Sequence, residues 1–260
     1  MVSNVRHNFV NDIGDYAKYA LLRALCRGGA PKMRLGVIWY LTVHPEINGD
    51  GRRRAHLSRE GWDGLDPDLL EKMRSIESSL RSRDELHLSL IEESQILPGD
   101  TTFFSEPLPD ITGPPHRRLR ERIMWFTRAQ ETVQGCELIF LDPDNGLEVQ
   151  SVGPSSRLAG KYSTVAEISL LLSTGAGVVF YQHCDRSPWR IQRIRIMNQI
   201  ASGVGPRHVT IRSVRFGGFG SRAFFCVSAR RAIARAVDEN LRRFEERISA
   251  WEGSRYFIIE

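Results

Sequence analysis

The sequence has no run of apolar residues near the roughly 20 that a membrane-spanning helix needs. Its first residues contain no apolar segment typical of a secretory signal, so we expect a cytoplasmic protein without membrane attachment. The four cysteines form no CxxC pair and have no zinc-like spacing to histidine, which favours free, buried thiols. Lysine is scarce as well, since only four of the 36 basic residues are lysine.

Arginine is abundant instead, and it is clustered. The clusters are "GRRRAH" at 51–56, "HRRLRERIMWFTR" at 116–128 and "RSPWRIQRIRIMNQ" at 186–199, in a chain with a formal charge of +5. The guanidinium fork matches the geometry of phosphate. The clusters are therefore either solvated helix faces or contacts for a nucleic-acid partner, RNA or DNA.

Short apolar segments alternate with segments of helical periodicity along much of the chain. Apolar strands at 33–42, 136–144 and 176–185 are separated by helical patterns, which is typical of a mostly parallel sheet with helices on both faces. The consecutive strands 208–216 and 222–229 predict an antiparallel hairpin at one edge. We predict one α/β domain, a three-layer Rossmann-like sandwich of the methyltransferase type, with an irregular insertion at about 43–116.

Three polar segments follow predicted strands: "YLTVHPEINGDG", "LDPDNGLE" and "YQHCDR". In such sheets ligands bind beyond the carboxyl ends of the strands, so these segments predict the functional edge. Lys161 could bind a phosphate, Gln182 could contact a base edge, and His183 could act as an acid or base.

Helix caps explain some of the polar residues near this edge. Asp12 or Asp15 is expected to cap the first helix, and the other carboxylate is expected to face the cleft with Lys18. Ser163 or Thr164 is expected to cap a later helix, with Glu167 at a capping-box position.

The stretch "LIFLDPDNGLE" permits three interpretations. Asp142 and Pro143 could hold an amine substrate by positioning. Asp142, Asp144 and Glu148, with Asp50 or His183, could instead bind magnesium or manganese and activate water as a nuclease or phosphoesterase does. The third interpretation is a strand end with ordinary turn residues.

The layout resembles class I S-adenosylmethionine-dependent methyltransferases, in particular the ribosomal RNA adenine-N6 enzymes that open with Tyr-Arg-His-x-Phe. This chain has Arg6, His7 and Phe9, then Lys18-Tyr19, and "LIFLDPDN" stands where that family has Asp-Pro-Pro-aromatic. Two features differ: the segment "GVIWYLTVHPEINGDG" lacks a GxGxG loop, and Asp144-Asn145 replaces the proline and the aromatic residue. The segments "LDPDNGLE" and "GVIWYLT" also resemble a bacterial family without an assigned activity.

The resemblance implies S-adenosylmethionine as cofactor and methylation of an amine in nucleic acid. The implied roles are as follows: catalysis by Asp142, Pro143, Asp144, Asn145 and His183; cofactor binding by Lys18, Tyr40, Thr42, Asn48 and Asp50; and substrate binding by Arg6, His7, Lys161 and Gln182. A non-catalytic nucleotide- or RNA-binding protein of the same fold is the remaining alternative, since the glycine loop is missing.

Overall fold

The computed structural model describes residues 11–27, 32–42, 54–81, 88–109, 112–205, 208–217 and 220–260. Its helices are α1 Ile13–Arg27, α2 Pro67–Arg81, α3 Ser89–Glu93, α4 Pro115–Thr132, α5 Val165–Ser173, α6 Trp189–Gly203 and α7 Arg231–Ser249. Its strands are β1 Leu35–Trp39, β2 Thr102–Phe104, β3 Leu138–Asp142, β4 Gly146–Leu147, β5 Tyr162–Ser163, β6 Gly177–His183, β7 Thr210–Phe216, β8 Arg222–Ser228 and β9 Phe257–Ile259.

Seven of the described strands form one sheet in the order β2-β1-β3-β6-β8-β7-β9, and β4 and β5 form a separate short pair. Strands β2, β1, β3 and β6 pair in parallel, while β8 is antiparallel to both β6 and β7. The predicted α/β class and mostly parallel sheet are thereby confirmed.

The apolar strands bury both faces because successive side chains point to opposite sides of the sheet. In β3, Leu138 and Phe140 pack into the layer that holds α1, α2 and α7. Ile139 and Leu141 pack into the opposite layer, which holds α4, α5 and α6. The continuous apolar run of this strand is thus explained by a helical layer on each side.

The late antiparallel pair is present, but it does not form the edge of the sheet. Strand β8 lies between β6 and β7, and β9 adds beyond β7 as the edge strand. Strand β9 was not predicted, because its three residues, Phe257–Ile259, are too few for a period-2 pattern to be recognised.

The segment 43–116, predicted as an irregular insertion, contributes regular elements where the structure describes it. Helix α2 begins after Asp66, whose carboxylate accepts a hydrogen bond from the backbone N–H of Leu69 at 3.0 Å, as an N-cap side chain does. Strand β2 pairs in parallel with β1 at the sheet edge. The proline-rich composition of 97–116 indicates a loop with room for one short strand, and the three residues of β2 are that strand.

A buried polar network joins the helices on the α4 side of the sheet. Arg122 donates to Glu167 from Nε at 2.8 Å and from Nη2 at 3.0 Å, and Tyr40 donates to Glu167 Oε2 at 3.0 Å. Thr164 and Glu167 also form the predicted capping box of α5. Burial and the neighbouring Glu167 carboxylate raise the pKa of Tyr40 well above its usual value.

None of the described helices is both long enough and apolar enough to cross a membrane.

We expect Arg122→Met to lower the free energy of unfolding by about 3–5 kcal/mol, because it leaves the buried Glu167 carboxylate without its cation. Arg117→Met is the matched control on the same helix, since Arg117 pairs with Glu121 at 2.7 Å on the surface. That control should lose less than about 1 kcal/mol. Urea denaturation measures both values, and equal losses would contradict a special role for the buried pair.

Candidate functional site

A cleft lies at the carboxyl ends of the neighbouring strands β1 and β3. From β1 the chain continues to β2 on one side, and from β3 it continues to β6 on the other side. Helix α2 follows β1 and packs in the α1 layer, whereas α5 follows β3 and packs in the opposite layer. Strands β1 and β3 are neighbours, with Trp39 beside Asp142 in register. In open α/β sheets ligands bind beyond the carboxyl ends of such a strand pair. The structure therefore provides a geometric reason to look for function at this end of the sheet.

Helix α1 begins at this edge, and Asp12 is its cap. Asp12 Oδ1 accepts hydrogen bonds from the amides of Gly14 at 2.7 Å and Asp15 at 3.0 Å. Arg222 Nη1 also donates to this oxygen at 3.2 Å. A Cβ atom on Gly14 would lie 0.8 Å from Arg222 Nη1, so glycine is required for this approach. Of the two predicted caps, Asp12 is therefore the one that the helix uses.

Lys18 connects α1 to the end of β3. Its Nζ lies 2.8 Å from Asp15 Oδ1 and 2.8 Å from Asp142 Oδ2. The same atom lies 5.4 Å from the ring centroids of both Tyr19 and Trp39, within the range of a cation–π contact. Lys18 thus holds together a helix carboxylate, a strand carboxylate and two aromatic rings.

Burial and the paired charges act on the titration of this group. Burial raises the pKa of Asp15 to about 6, although the Lys18 ammonium opposes the rise. Burial alone would lower the pKa of Lys18, but Asp142 and Asp15 outweigh it and hold that pKa well above its usual value. Lys18 therefore stays a cation at neutral pH, whereas Asp15 titrates near pH 6.

The cleft is lined by both apolar and acidic side chains. Its described lining residues are Asp15, Lys18, Tyr19, Trp39, Tyr40, Leu41, Thr42, Leu88, Asp142 and Asp144. Three carboxylates face a single ammonium group, so this described lining carries two more negative than positive charges when Asp15 is ionised. Such a surface favours cationic or neutral, hydrogen-bond-donating ligands over phosphates.

The loop after β3 has a fixed shape. Gly146 has a φ of 111°, and a Cβ atom there would lie 2.4 Å from Gln182 Oε1, so glycine is needed. Gln182 Oε1 accepts from the Leu147 amide at 2.9 Å, and its Nε2 donates to the carbonyls of Asn145 at 3.3 Å and His183 at 2.9 Å. Gln182 therefore supports the loop. Its side-chain amide, which was predicted to contact a base edge, is hydrogen-bonded to the backbone instead.

Glu148 does not converge with Asp142 and Asp144. Its Oε1 accepts from the Val165 amide at 2.8 Å, at the start of α5. Across the described residues, no three histidine, cysteine, aspartate or glutamate side chains are grouped to hold a metal ion. The predicted metal set of Asp142, Asp144 and Glu148 is corrected for this reason: the three carboxylates are not grouped, and Glu148 is bonded at the start of α5 instead.

The remaining predicted residues are divided between the cleft and its surroundings. Asp142, Asp144, Lys18 and Thr42 line the cleft, and Pro143 is buried directly after the strand. Tyr40 lines it too, but its hydroxyl is bonded to Glu167 on the opposite side of the sheet. The backbone N–H of Asn145 donates to the backbone carbonyl of Lys161 at 2.8 Å. Arg6, His7, Asn48 and Asp50 lie outside the described residues.

Two aromatic residues at the end of β6 lie near the cleft. The Tyr181 hydroxyl is 3.4 Å from Nδ1 of the exposed His183. Burial raises the pKa of Tyr181 to about 12, and the charges of Arg222, Asp142 and Lys18 also act on it. Tyr181 belongs to the segment "YQHCDR" that was predicted to lie at the functional edge, but Trp39 and Arg222 were assigned no role, because apolar or strand-like neighbours surround both.

Asp15 should make the free energy of unfolding fall as pH rises from about 4 to about 6. Its folded pKa of about 6 exceeds the ordinary value of 3.8, so the folded state binds the proton more tightly across that interval. Asp15→Asn removes this titration. The stability of wild type relative to the variant should therefore decline between those values and become constant above about pH 7.

Asp100→Asn is the control for that measurement, because the hydrogen bond from Lys32 lowers the pKa of Asp100. Wild type compared with this variant should show no decline as pH rises. Urea denaturation at a series of pH values measures both differences. A flat Asp15 difference would mean that burial does not raise this pKa.

No family model matches the chain, and no curated protein matches it. Among solved structures, the chain is similar to protein LPL1258 from Legionella pneumophila str. Philadelphia 1, described as family model DUF519. The alignment has 9% sequence identity and a TM-score of 0.44, and it covers 96% of this chain and 97% of that one. A similarity at this level carries no information about activity.

Proposed function

We propose that the protein is a methyltransferase-like enzyme that holds an amino group of a nucleic-acid base against Asp142. The observation that carries the proposal is the Lys18–Asp142 ion pair at the end of β3, in the cleft beside β1. Lys18 occupies Oδ2 of Asp142, and within the described residues Oδ1 accepts no hydrogen bond. Oδ1 can therefore accept one from an amine.

The described lining fits S-adenosylmethionine in its chemistry. Excess carboxylate charge suits a sulfonium and an ammonium group, and the Trp39 and Tyr19 rings already lie against a cation. The cofactor, when bound, supplies a methyl group on a positively charged sulfur. Trp39, Leu41, Asp15 and Asp144 are the residues that would hold it.

The chain's own contribution to the reaction is positioning. Asp142 would accept a hydrogen bond from the amino group and fix its orientation, and Lys18 fixes the rotamer of Asp142. The Gln182-supported loop sets the direction of Asp142-Pro143 as the chain leaves the strand. A base buried in a duplex cannot reach such a cleft, so the substrate base has to be unstacked.

Binding of S-adenosylmethionine should be tighter than binding of S-adenosylhomocysteine, which lacks the sulfonium charge. Isothermal titration calorimetry measures both dissociation constants. Asp142→Asn should reduce the preference, because it removes one negative charge from the cleft. Asp100→Asn, an exposed carboxylate paired with Lys32 next to β2, is the matched control and should leave the preference unchanged. Equal affinity for the two ligands in wild type would contradict the proposed use of cleft charge.

Asp142→Asn should also lower kcat for methyl transfer by about 100-fold, since the amide cannot keep both the Lys18 pair and the amine contact. The measurement is transfer of tritiated methyl groups from S-adenosylmethionine to RNA isolated from cells that lack the protein. Circular dichroism checks that the variant is folded. An unchanged rate in a folded variant would sink the assigned role, and nucleic-acid binding without any transfer by wild type would favour the non-catalytic alternative.

A further inference from the structure

A basic surface lies beside the cleft, where β6 ends and α6 begins. Its members are Arg186 and Arg190, both exposed, and Arg215 near the end of β7. Within the described part of the chain, none of these three side chains pairs with a carboxylate, whereas Arg193 and Arg195 of α6 do. We call Arg186, Arg190 and Arg215 the α6 basic surface.

Arg215 is held in place without an acidic partner among the residues that the structure describes. Its Nε donates to Ser221 Oγ at 2.9 Å, and its guanidinium carbon lies 5.9 Å from the Trp189 ring centroid. Trp189 is the first residue of α6. These contacts keep the guanidinium of Arg215 next to Trp189 at the start of α6. Arg186 lies three residues before Trp189, and Arg190 directly follows it.

The α6 basic surface is joined to the cleft through the end of β6. His183 is paired in register with Arg222, and Arg222 bonds to Asp12 at the start of α1. Asp12 is three residues before Asp15. Burial raises the pKa of Asp15, and the charge of Asp12 adds to that rise. The backbone N–H of His183 also donates to the Asn145 carbonyl at 3.1 Å, next to Asp144 of the cleft, and the backbone N–H of Cys184 donates at 3.0 Å to the carbonyl of Ser221, which binds Arg215. The two regions therefore adjoin at the end of β6, and one nucleic-acid strand can contact both.

Charge separates the two regions in a way that matches one class of ligand. The described lining of the cleft has an excess of carboxylates and repels phosphates, whereas the neighbouring arginines attract them. A nucleic-acid strand has this arrangement, with anionic phosphates along its length and neutral bases that carry amino groups. Arginine also matches phosphate geometry better than any other side chain.

We propose that the α6 basic surface binds the phosphodiester backbone of the strand whose base enters the cleft. This inference rests on the proposed function, since it assigns a docking surface to the same site. Backbone contacts position a substrate without reading its sequence, so this surface sets register and affinity while the cleft selects the base.

The test measures binding of a short fluorescein-labelled single-stranded RNA, and of DNA of the same sequence, by fluorescence anisotropy. Salt is varied between about 50 and 200 mM, the range over which phosphate contacts weaken steeply. For Arg186→Gln/Arg190→Gln we expect weaker binding and a salt slope reduced by about 1.4, since each phosphate contact to a single strand contributes about 0.7. The RNA and DNA arms show which strand is preferred.

Two control pairs remove the same charge elsewhere. Arg231 and Arg235 are exposed on α7, beyond the end of β8, and their replacement by Gln should leave affinity and slope unchanged. Arg120→Gln/Arg157→Gln does the same on the α4 side. Equal losses in all three pairs, a loss confined to either control pair, or no binding of either strand at low salt would each overturn the proposal.

Asp142→Asn separates failure of this proposal from failure of the proposed function. It should retain the wild-type salt slope while losing methyl transfer, because it lies in the cleft and not on the basic surface. A salt slope that depends on Arg186 and Arg190 in a protein that never transfers methyl groups would support the docking surface and refute the methyltransferase. Transfer that is unaffected by Arg186→Gln/Arg190→Gln, with an unchanged slope, would do the reverse.

Discussion

The Lys18 ammonium group is the interaction on which the candidate site depends. It is bonded to Asp15 of α1 and to Asp142 of β3, so it fixes the helix against the carboxyl end of the sheet. A buried ion pair contributes little net stability, but removal of its cation leaves two carboxylates close together with little solvent. The consequence is positional: the orientation of Asp142, and with it the chemistry available at the strand end, is set from a helix more than a hundred residues earlier in the chain.

The pleat of β1 explains why one strand serves two separate polar networks. Trp39 points to the α1 layer and lies near Lys18, whereas the next side chain, Tyr40, points to the opposite layer and bonds to Glu167. The Glu167 network with Arg122 also holds the carbonyls of Ala159 and Tyr162, in the segment between β3 and α5. The cleft is therefore supported from behind by a network that takes no part in its lining charge.

The sequence was sufficient for the features that depend on local periodicity and capping. Long apolar strands such as 138–142 and 177–183, and caps such as Thr164 with Glu167, are determined by neighbouring residues, and each was predicted. Strand β9 was not recognisable and β2 was indicated only as a short strand within a loop, because three residues contain too little pattern and their pairing is decided by distant partners. The same reason explains the hairpin: local signals predict that β7 and β8 pair, but not that β8 inserts next to β6.

The candidate site was predictable as an edge of the sheet, and its internal geometry was not. Asp142, Asp144 and Glu148 lie within seven residues, so sequence spacing could not show that Gly146 turns the chain and sends Glu148 to the start of α5. The acidic character of the cleft also depends on Asp15. The sequence predicted that one of Asp12 and Asp15 caps α1 and that the other faces the cleft with Lys18, but it did not show that Asp12 is the cap. The described lining of the cleft repels phosphate, whereas the neighbouring arginines attract it. The distribution of charge over the surface therefore matters more for binding than the net charge of the protein. A formal charge of +5 describes neither surface.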